Sequence, residues 1–328
     1  MDILKLVETC PEIHIADAFL VTNAKLKRYK RPVCSISGGA DSDMMIDIIS
    51  KVDPNKKTTF VFFNTGLEYR ATLEHLDYLE QKYDIQIIRE KAIKPIPISC
   101  KKYGVPFLSK HVSEMIYRLQ SHGFKWEDKP YEELVEEYPN CESALKWWCN
   151  RKIRNDGKIG MLNIDRDKYL KEFMILNPPD FPISSKCCTY AKKNVARKFC
   201  KKHEADLEMI GIRKSEGGIR SVQYKTCFSP GDEHDVYRPI FWITDEVKKL
   251  YSETYGVKNS RCYTVYGLSR TGCVGCPFNK NFEDELDRIQ QCEPLLYKAV
   301  NNIFGKSYEY TRRYREYVIA REMEKSKT

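Results

Sequence analysis

From Pro32 onward the chain alternates short apolar runs with amphipathic stretches. Pro32-Val33-Cys34-Ser35-Ile36 reads as a strand, and Asp41 to Val52 as a helix whose Met44, Met45, Ile48 and Ile49 are spaced for one buried face. Thr58-Thr59-Phe60-Val61-Phe62-Phe63 is an uninterrupted β-branched and aromatic run, the pattern of a central parallel strand. Ala71 to Tyr83 is again helical, and Ile85-Gln86-Ile87-Ile88-Arg89 is a third strand. This βαβαβ rhythm predicts an α/β fold with a doubly wound, mostly parallel sheet. Leu4 to Leu20 adds one or two helices before it, followed by the basic stretch Lys25 to Arg31.

Between about 124 and 180 the rhythm is lost. Trp126, Trp147 and Trp148 stand among many charges there, which predicts a mostly helical insertion. The sheet resumes at Leu207 to Ile212, and Tyr237 to Trp242 forms a further element. Thr244-Asp245-Glu246 then opens a helix with a hydroxyl cap and an acidic first turn. The stretch from Asn281 to Lys327 reads as helical and basic. The expected division is therefore a first domain over 1–235 and a C-terminal helical, cysteine-bearing extension over 236–328.

Composition changes this picture in two ways. No apolar run reaches the ~20 residues that span a bilayer, and Met1-Asp2-Ile3-Leu4-Lys5 is not the start of a signal peptide, so a cytoplasmic protein with no membrane partner is expected. Thirteen cysteines in such a chain are read as reduced thiols, some of them free to bind metal. The net charge of +9 suits a polyanionic ligand, although a solvated basic face explains it as well.

The first βα junction carries Ser37-Gly38-Gly39-Ala40-Asp41-Ser42. Paired glycines let the backbone turn tightly and approach a ligand, and successive amides at a helix N-terminus then face an anion. Ser37 and Ser42 add hydroxyls, and Asp41 is placed to hold Mg²⁺ or to orient the loop. No Lys follows, so this is not a Walker A sequence.

The loop resembles the SGGxDS loop of the PP-loop ATP-pyrophosphatase superfamily, and within it the chain resembles the phosphoadenosine phosphosulfate (PAPS) reductase-like family. Further matches follow in order: Phe62 to Tyr69, Gly104-Val105-Pro106-Phe107 with Ser109-Lys110, Lys186-Cys187-Cys188 with Lys192-Lys193, Gly211-Ile212-Arg213 with Glu216 and Arg220, and Arg238-Pro239-Ile240. Asn64 stands where the family frequently has Asp, and Arg70-Ala71 where it usually has Pro-Glu. The resemblance implies an adenine nucleotide alpha hydrolase-like fold and an ATP, PAPS or adenosine phosphosulfate (APS) ligand. Asn64, Thr65 and Gly66 then close a turn beside the nucleotide. Arg213 and Arg220 suit bidentate pairing with phosphate or sulfate, with Lys110 reaching the same anion. A surface ion pair with Glu216 is the plainer reading of the two arginines.

Thr271-Gly272-Cys273-Val274-Gly275-Cys276-Pro277 holds a CxxC, and Cys187-Cys188 is a tandem pair. Adjacent cysteines serve one tetrahedral ion awkwardly but two irons of one cluster readily. Cys187, Cys188, Cys273 and Cys276 together would satisfy a [4Fe–4S] cube. A zinc ion, a ligand set that includes Cys262, and a thioredoxin-like redox pair are the alternatives. Cys10, Cys34, Cys100, Cys141, Cys149, Cys200, Cys227 and Cys292 lack such spacing and are read as packed thiols. The APS reductase branch of the family binds a cluster with a tandem pair and a CxxC, as the resemblance implies.

Family reductases carry a nucleophilic cysteine in a C-terminal tail, whereas the last cysteine here is Cys292. The leading expectation is therefore the superfamily's other reaction, ATP cleavage to AMP and pyrophosphate in cluster-assisted sulfur transfer, with a nucleic acid among the acceptors and a sulfur-donor protein as partner. PAPS or APS reduction with a thiol-reductant protein is one alternative. A non-catalytic nucleic-acid-binding protein using Lys25 to Arg31 and Lys186 to Lys202 is the other.

Overall fold

The apolar runs of the N-terminal half become the strands of one sheet in a computed structural model that describes residues 3–153, 157–158, 160, 162–217 and 223–326. Its strands are Pro32–Ile36 (β1), Thr59–Asn64 (β2), Ile87–Lys91 (β3), Leu207–Ile210 (β4), Phe228–Ser229 (β5) and Asp235–Tyr237 (β6). They lie in the order β3-β2-β1-β4-β6-β5, all parallel except β5, which pairs antiparallel with β6. The chain leaves β1 toward β2 on one side, while β4 lies on the other. The carboxyl end of β1 is thus the topological switch point, where crevices for ligands form in open α/β sheets.

By packing, the chain forms two compact units, Met1–Ile93 with Ala191–Val274, and Lys94–Tyr190 with Gly275–Thr328. The sequence boundary at 235 cuts the chain only once, whereas the packing passes twice into the second unit. In the first unit the helices Ile3–Glu8 (α1), Ile13–Arg28 (α2), Ala40–Val52 (α3) and Asp245–Tyr255 (α12) bury one face of the sheet with Met44, Met45, Ile48 and Ile49 as expected. Asn194–Lys202 (α11) covers the other face, where Phe199, Cys200 and Ala205 meet Val33 and Val61. Thr244 caps α12 by accepting from the Val247 amide at 3.3 Å, as its sequence predicts. The element expected over Tyr237 to Trp242 is shorter than expected: the strand ends at Tyr237, and turns carry the chain to the cap.

The second unit is helical: Ile96–Tyr103 (α5), Lys110–Ser121 (α6), Tyr131–Glu137 (α7), Glu142–Trp148 (α8), Leu170–Leu176 (α9), Lys186–Cys188 (α10), Phe282–Cys292 (α13) and Pro294–Lys325 (α14). Its core is aromatic. Trp147 and Trp148 are fully buried despite their charged neighbours in sequence, and Phe107, Phe173, Phe181, Tyr310 and Tyr314 close around one another. Among the described residues no helix is long and apolar enough to cross a membrane.

Inside the first unit α3 carries two buried carboxylates. Asp43 pairs with His75 of Arg70–Tyr83 (α4) at 2.9 Å, and burial pushes its carboxyl above the usual range against the opposing pull of His75. Asp47 accepts from Tyr83 at 2.9 Å, from Tyr251 at 2.5 Å and from Lys51, tying α3 to α4 and α12. A buried carboxylate that loses a donor keeps its desolvation cost without the compensating bond. Tyr251→Phe should therefore lower unfolding stability by about 1–3 kcal/mol in urea titration, with little change in the slope of the transition.

Candidate nucleotide site and thiol cluster

The loop between β1 and α3 is held closed by its own serines. The Ser37 amide donates to Ser42 Oγ at 2.9 Å, and the two hydroxyls lie 2.9 Å apart. Ser42 is buried, so it shapes the loop from within. Gly38 sits at φ +68°, a left-handed conformation that favours glycine, and Gly39 occupies the N-cap position of α3. A Cβ at Gly39 would fall 2.5 Å from Thr271 Oγ1 and 3.0 Å from the Tyr263 hydroxyl. That hydroxyl accepts from the amides of Ala40 at 3.2 Å and Thr271 at 3.3 Å, drawing the segment 263–271 against the loop. Among the described residues the Gly38 and Gly39 amides meet no protein acceptor. They stand at a helix N-terminus, where the macrodipole favours an anion.

Asp41 lies in the first turn of α3 and is fixed by two cations. Its Oδ1 accepts from Arg213 Nε and from Lys248 Nζ, each at 3.0 Å. Arg213 is 5% exposed and also donates to Asp245 Oδ1 at 2.8 Å, to Ser215 Oγ at 2.8 Å and to the Ile243 carbonyl at 3.3 Å. The hydrogen bond from Arg213 chiefly holds the Asp245 carboxyl below the usual range. For Arg213 the plainer expectation, an ion pair with Glu216, is corrected in detail. Glu216 accepts from the Arg213 backbone amide at 3.1 Å, while the guanidinium turns to Asp41 and Asp245. Arg220 lies outside the described residues. Lys248 was not found from the sequence; its only signal is its position one turn into the capped helix α12.

At the end of β2, Asn64 Oδ1 accepts the Gly66 amide at 2.9 Å, an Asx turn that lets Gly66 adopt φ +79°. The Thr65 amide and hydroxyl both donate to Glu68 Oε1, at 2.8 and 2.5 Å. Asn thus closes the turn as an Asp would. Lys110 opens α6 in the second unit, behind the Ser109 cap.

The thiols gather through a backbone contact in the second unit. Val105 pairs with Ile183, with the Val105 amide bonded to the Pro182 carbonyl at 3.0 Å and the Ser184 amide to the Val105 carbonyl at 2.9 Å. Only a glycine fits just before this bridge. Gly104 has φ +103°, and a Cβ there would lie 2.3 Å from the Pro182 oxygen. The bridge sets the end of α5 beside the start of α10, and Tyr103 stacks on Tyr190 at 5.1 Å to join them again. Cys187, 4% exposed, consequently lies beside Cys100 and Cys188 and in electrostatic reach of Cys276. The interaction with Cys100, more than burial, holds its thiol well above the ordinary range. No spacing marks Cys100 in the sequence; it is a buried thiol that the bridge brings beside Cys187.

Cys276 follows a tight turn in which Gly275, at φ +59°, donates its amide to Glu285 at 3.0 Å and its carbonyl accepts from Tyr308. Cys273 belongs to the first unit and Cys276 to the second. Cys262 is buried in the first unit within 3.5 Å of the Thr72 hydroxyl. An all-thiol donor set fits either a [4Fe–4S] cluster or zinc.

Residues 31–110 match the profile of the phosphoadenosine phosphosulfate reductase domain. An uncharacterized protein of Methanocaldococcus jannaschii is 29% identical over 148 residues, 44% of this chain and 28% of that protein. The uncharacterized 37.8 kDa protein in the gpa 5′ region of Escherichia phage 186 is 26% identical over 297 residues, 80% of this chain and 75% of its own length. The chain thus spans little more than a quarter of the archaeal relative and three quarters of the phage one. Among solved structures, the PAPS reductase of Candida auris in its phosphate complex aligns with a TM-score of 0.44 at 13% identity, over 83% of this chain and 93% of that one.

Two neighbouring glycines separate loop geometry from general tolerance. Gly39→Ala drives a methyl into Thr271 and Tyr263, whereas a Cβ at Gly272 meets nothing within 4 Å. Calorimetric titration with ATP should show affinity reduced by about tenfold or more, ~1.4 kcal/mol, in Gly39→Ala and unchanged in Gly272→Ala.

Proposed function

We propose that this chain, a PP-loop protein of the PAPS reductase-like kind, binds ATP at Ser37 to Ser42 and cleaves it between the α- and β-phosphates in a sulfur-transfer reaction. The observation that carries this reading is the pair of unengaged Gly38 and Gly39 amides at the start of α3, with Lys248 anchored alongside at Asp41. In such a reaction an acceptor oxygen attacks the α-phosphorus and pyrophosphate leaves. A sulfur nucleophile then displaces AMP from the activated acceptor. The loop amides would stabilise the charge that grows on the departing pyrophosphate. Ser37 and Ser42 keep the loop in shape, and Asn64, Thr65 and Gly66 form the turn offered to the nucleoside.

Arg213 acts here as a positioning residue, since four of its five donors go to Asp41, Asp245, Ser215 and Ile243. Mg²⁺ fits at Asp41 less directly, because Oδ1 already accepts from two cations. Lys248 supplies the positive charge that a phosphate there requires.

Cys100, Cys187, Cys188 and Cys276, all of the second unit, would hold a [4Fe–4S] cluster. A bound cluster supplies electron transfer or a site for sulfur. The protein's part is to gather the thiols and bury Cys187. The net charge of +9 supports a polyanionic acceptor such as nucleic acid. Reduction of a sulfonucleotide is the second reading, favoured by the domain match over 31–110.

Anaerobically purified protein incubated with ATP, or with PAPS and a dithiol protein, distinguishes the two. AMP and pyrophosphate formed from ATP, and lost in Lys248→Ala, are expected; sulfite from PAPS with no ATP cleavage overturns the leading reading. In the same preparation Cys187→Ser should lose iron and acid-labile sulfide together. Stoichiometric zinc without sulfide in the parent protein would remove the cluster from the scheme.

A further inference from the structure

A second donor set lies in the first unit, away from the tandem cysteines. Cys200 of α11, Glu208 of β4 and His234 just before β6 place one ligand atom each within 4.8 Å of the others. The register explains the meeting. Glu208 pairs with Val236, and strand side chains alternate, so 234, 236 and 208 share one face of the sheet. That is the face α11 covers, where Cys200 packs beside Phe199 and Ala205 at 1% exposure.

We propose that Cys200, Glu208 and His234 form a site for a divalent transition ion, zinc by its donor chemistry. One thiolate, one imidazole and one carboxylate are the mixed soft and borderline ligands that zinc takes, whereas calcium or magnesium would require more oxygen atoms than this set offers. His234 Nε2 and Glu208 Oε2 are 3.4 Å apart. That is long for a hydrogen bond, which favours about 2.7–3.2 Å. It matches the edge of a tetrahedron around an ion at ~2.0–2.1 Å from each ligand, about 3.3–3.4 Å. The other carboxylate oxygen, Oε1, accepts from the Ser35 hydroxyl at 3.0 Å, the kind of outer contact that orients a ligating carboxylate. One coordination position is left for water.

The site's place assigns its role. Glu208 lies level with Val33 in β1, four residues before Ser37. At ~3.3 Å per residue that is about 13 Å from the Ser37 loop, toward the amino ends of the strands. The ion is therefore structural, fastening the short β6 strand and α11 to β4.

Chelator-treated protein re-metallated with zinc alone tests this. Bound zinc per chain, measured against the parent, should fall by one equivalent in Cys200→Ser and in His234→Ala, and the zinc-dependent rise in melting temperature should disappear. In anaerobically purified protein not treated with chelator, the same variants should leave iron and sulfide at the tandem cysteines unchanged, whereas Cys187→Ser should leave this zinc equivalent in place. Cobalt substitution gives a second readout through a thiolate charge-transfer band that Cys200→Ser removes. If the parent and His234→Ala bind the same amount of zinc with the same melting shift, the site does not exist. His234 is partly exposed, so its variant keeps the test valid should Cys200→Ser fail to fold.

Discussion

Asp41 is a carboxylate placed where a helix begins, and it would remain mobile without a counter-charge. Arg213 supplies one from the end of β4 and reaches Asp245 and the Ile243 carbonyl at the same time. The exit of β4, the first turn of α3 and the start of α12 therefore converge on a single buried guanidinium. A planar fork of donors suits this task better than an ammonium, because it can bond several acceptors in fixed directions. Removing Arg213 would leave Asp41 to Lys248 alone, and removing Asp41 would leave the buried guanidinium to the exposed Asp245. This junction fixes the first turn of α3 behind the glycine loop, while Ser37, Ser42 and Tyr263 hold the loop itself.

The parallel core was legible because buried strands are written as unbroken apolar runs, and Thr58 to Phe63 became β2 within a residue at either end. The two strands beyond β4 were not. β5 and β6 span two and three residues, too few for any periodicity to show. The glycine loop was legible because its geometry is local. The partner of Arg213 was not, since Asp41 lies 172 positions away and only the fold brings them together.

Cysteines show the same limit more sharply. Spacing singled out Cys187, Cys188, Cys273 and Cys276, and no spacing could mark Cys100, which stands in the run Ser99-Cys100-Lys101. Its place beside Cys187 arises from the Val105–Ile183 bridge and from a glycine that avoids the Pro182 oxygen. Cys200 was read as packing for the same reason, and its companions Glu208 and His234 come from a strand and a turn that the sequence does not connect. One mostly parallel sheet thus presents the Gly38 and Gly39 amides at the carboxyl end of β1 and a mixed donor set near the amino ends of β4 and β6.

The margins of that sheet have a practical side. On one margin β5 is two residues long and runs against its neighbour; on the other β3 presents Arg89, Glu90 and Lys91, with Arg89 already bonded to Asp77 and Glu80. Neither offers the long, flat, apolar row of free amides and carbonyls on which a foreign strand could add. Self-assembly by edge-to-edge strand addition is thereby disfavoured, which suits a chain kept at the high concentrations that spectroscopy and crystallisation demand.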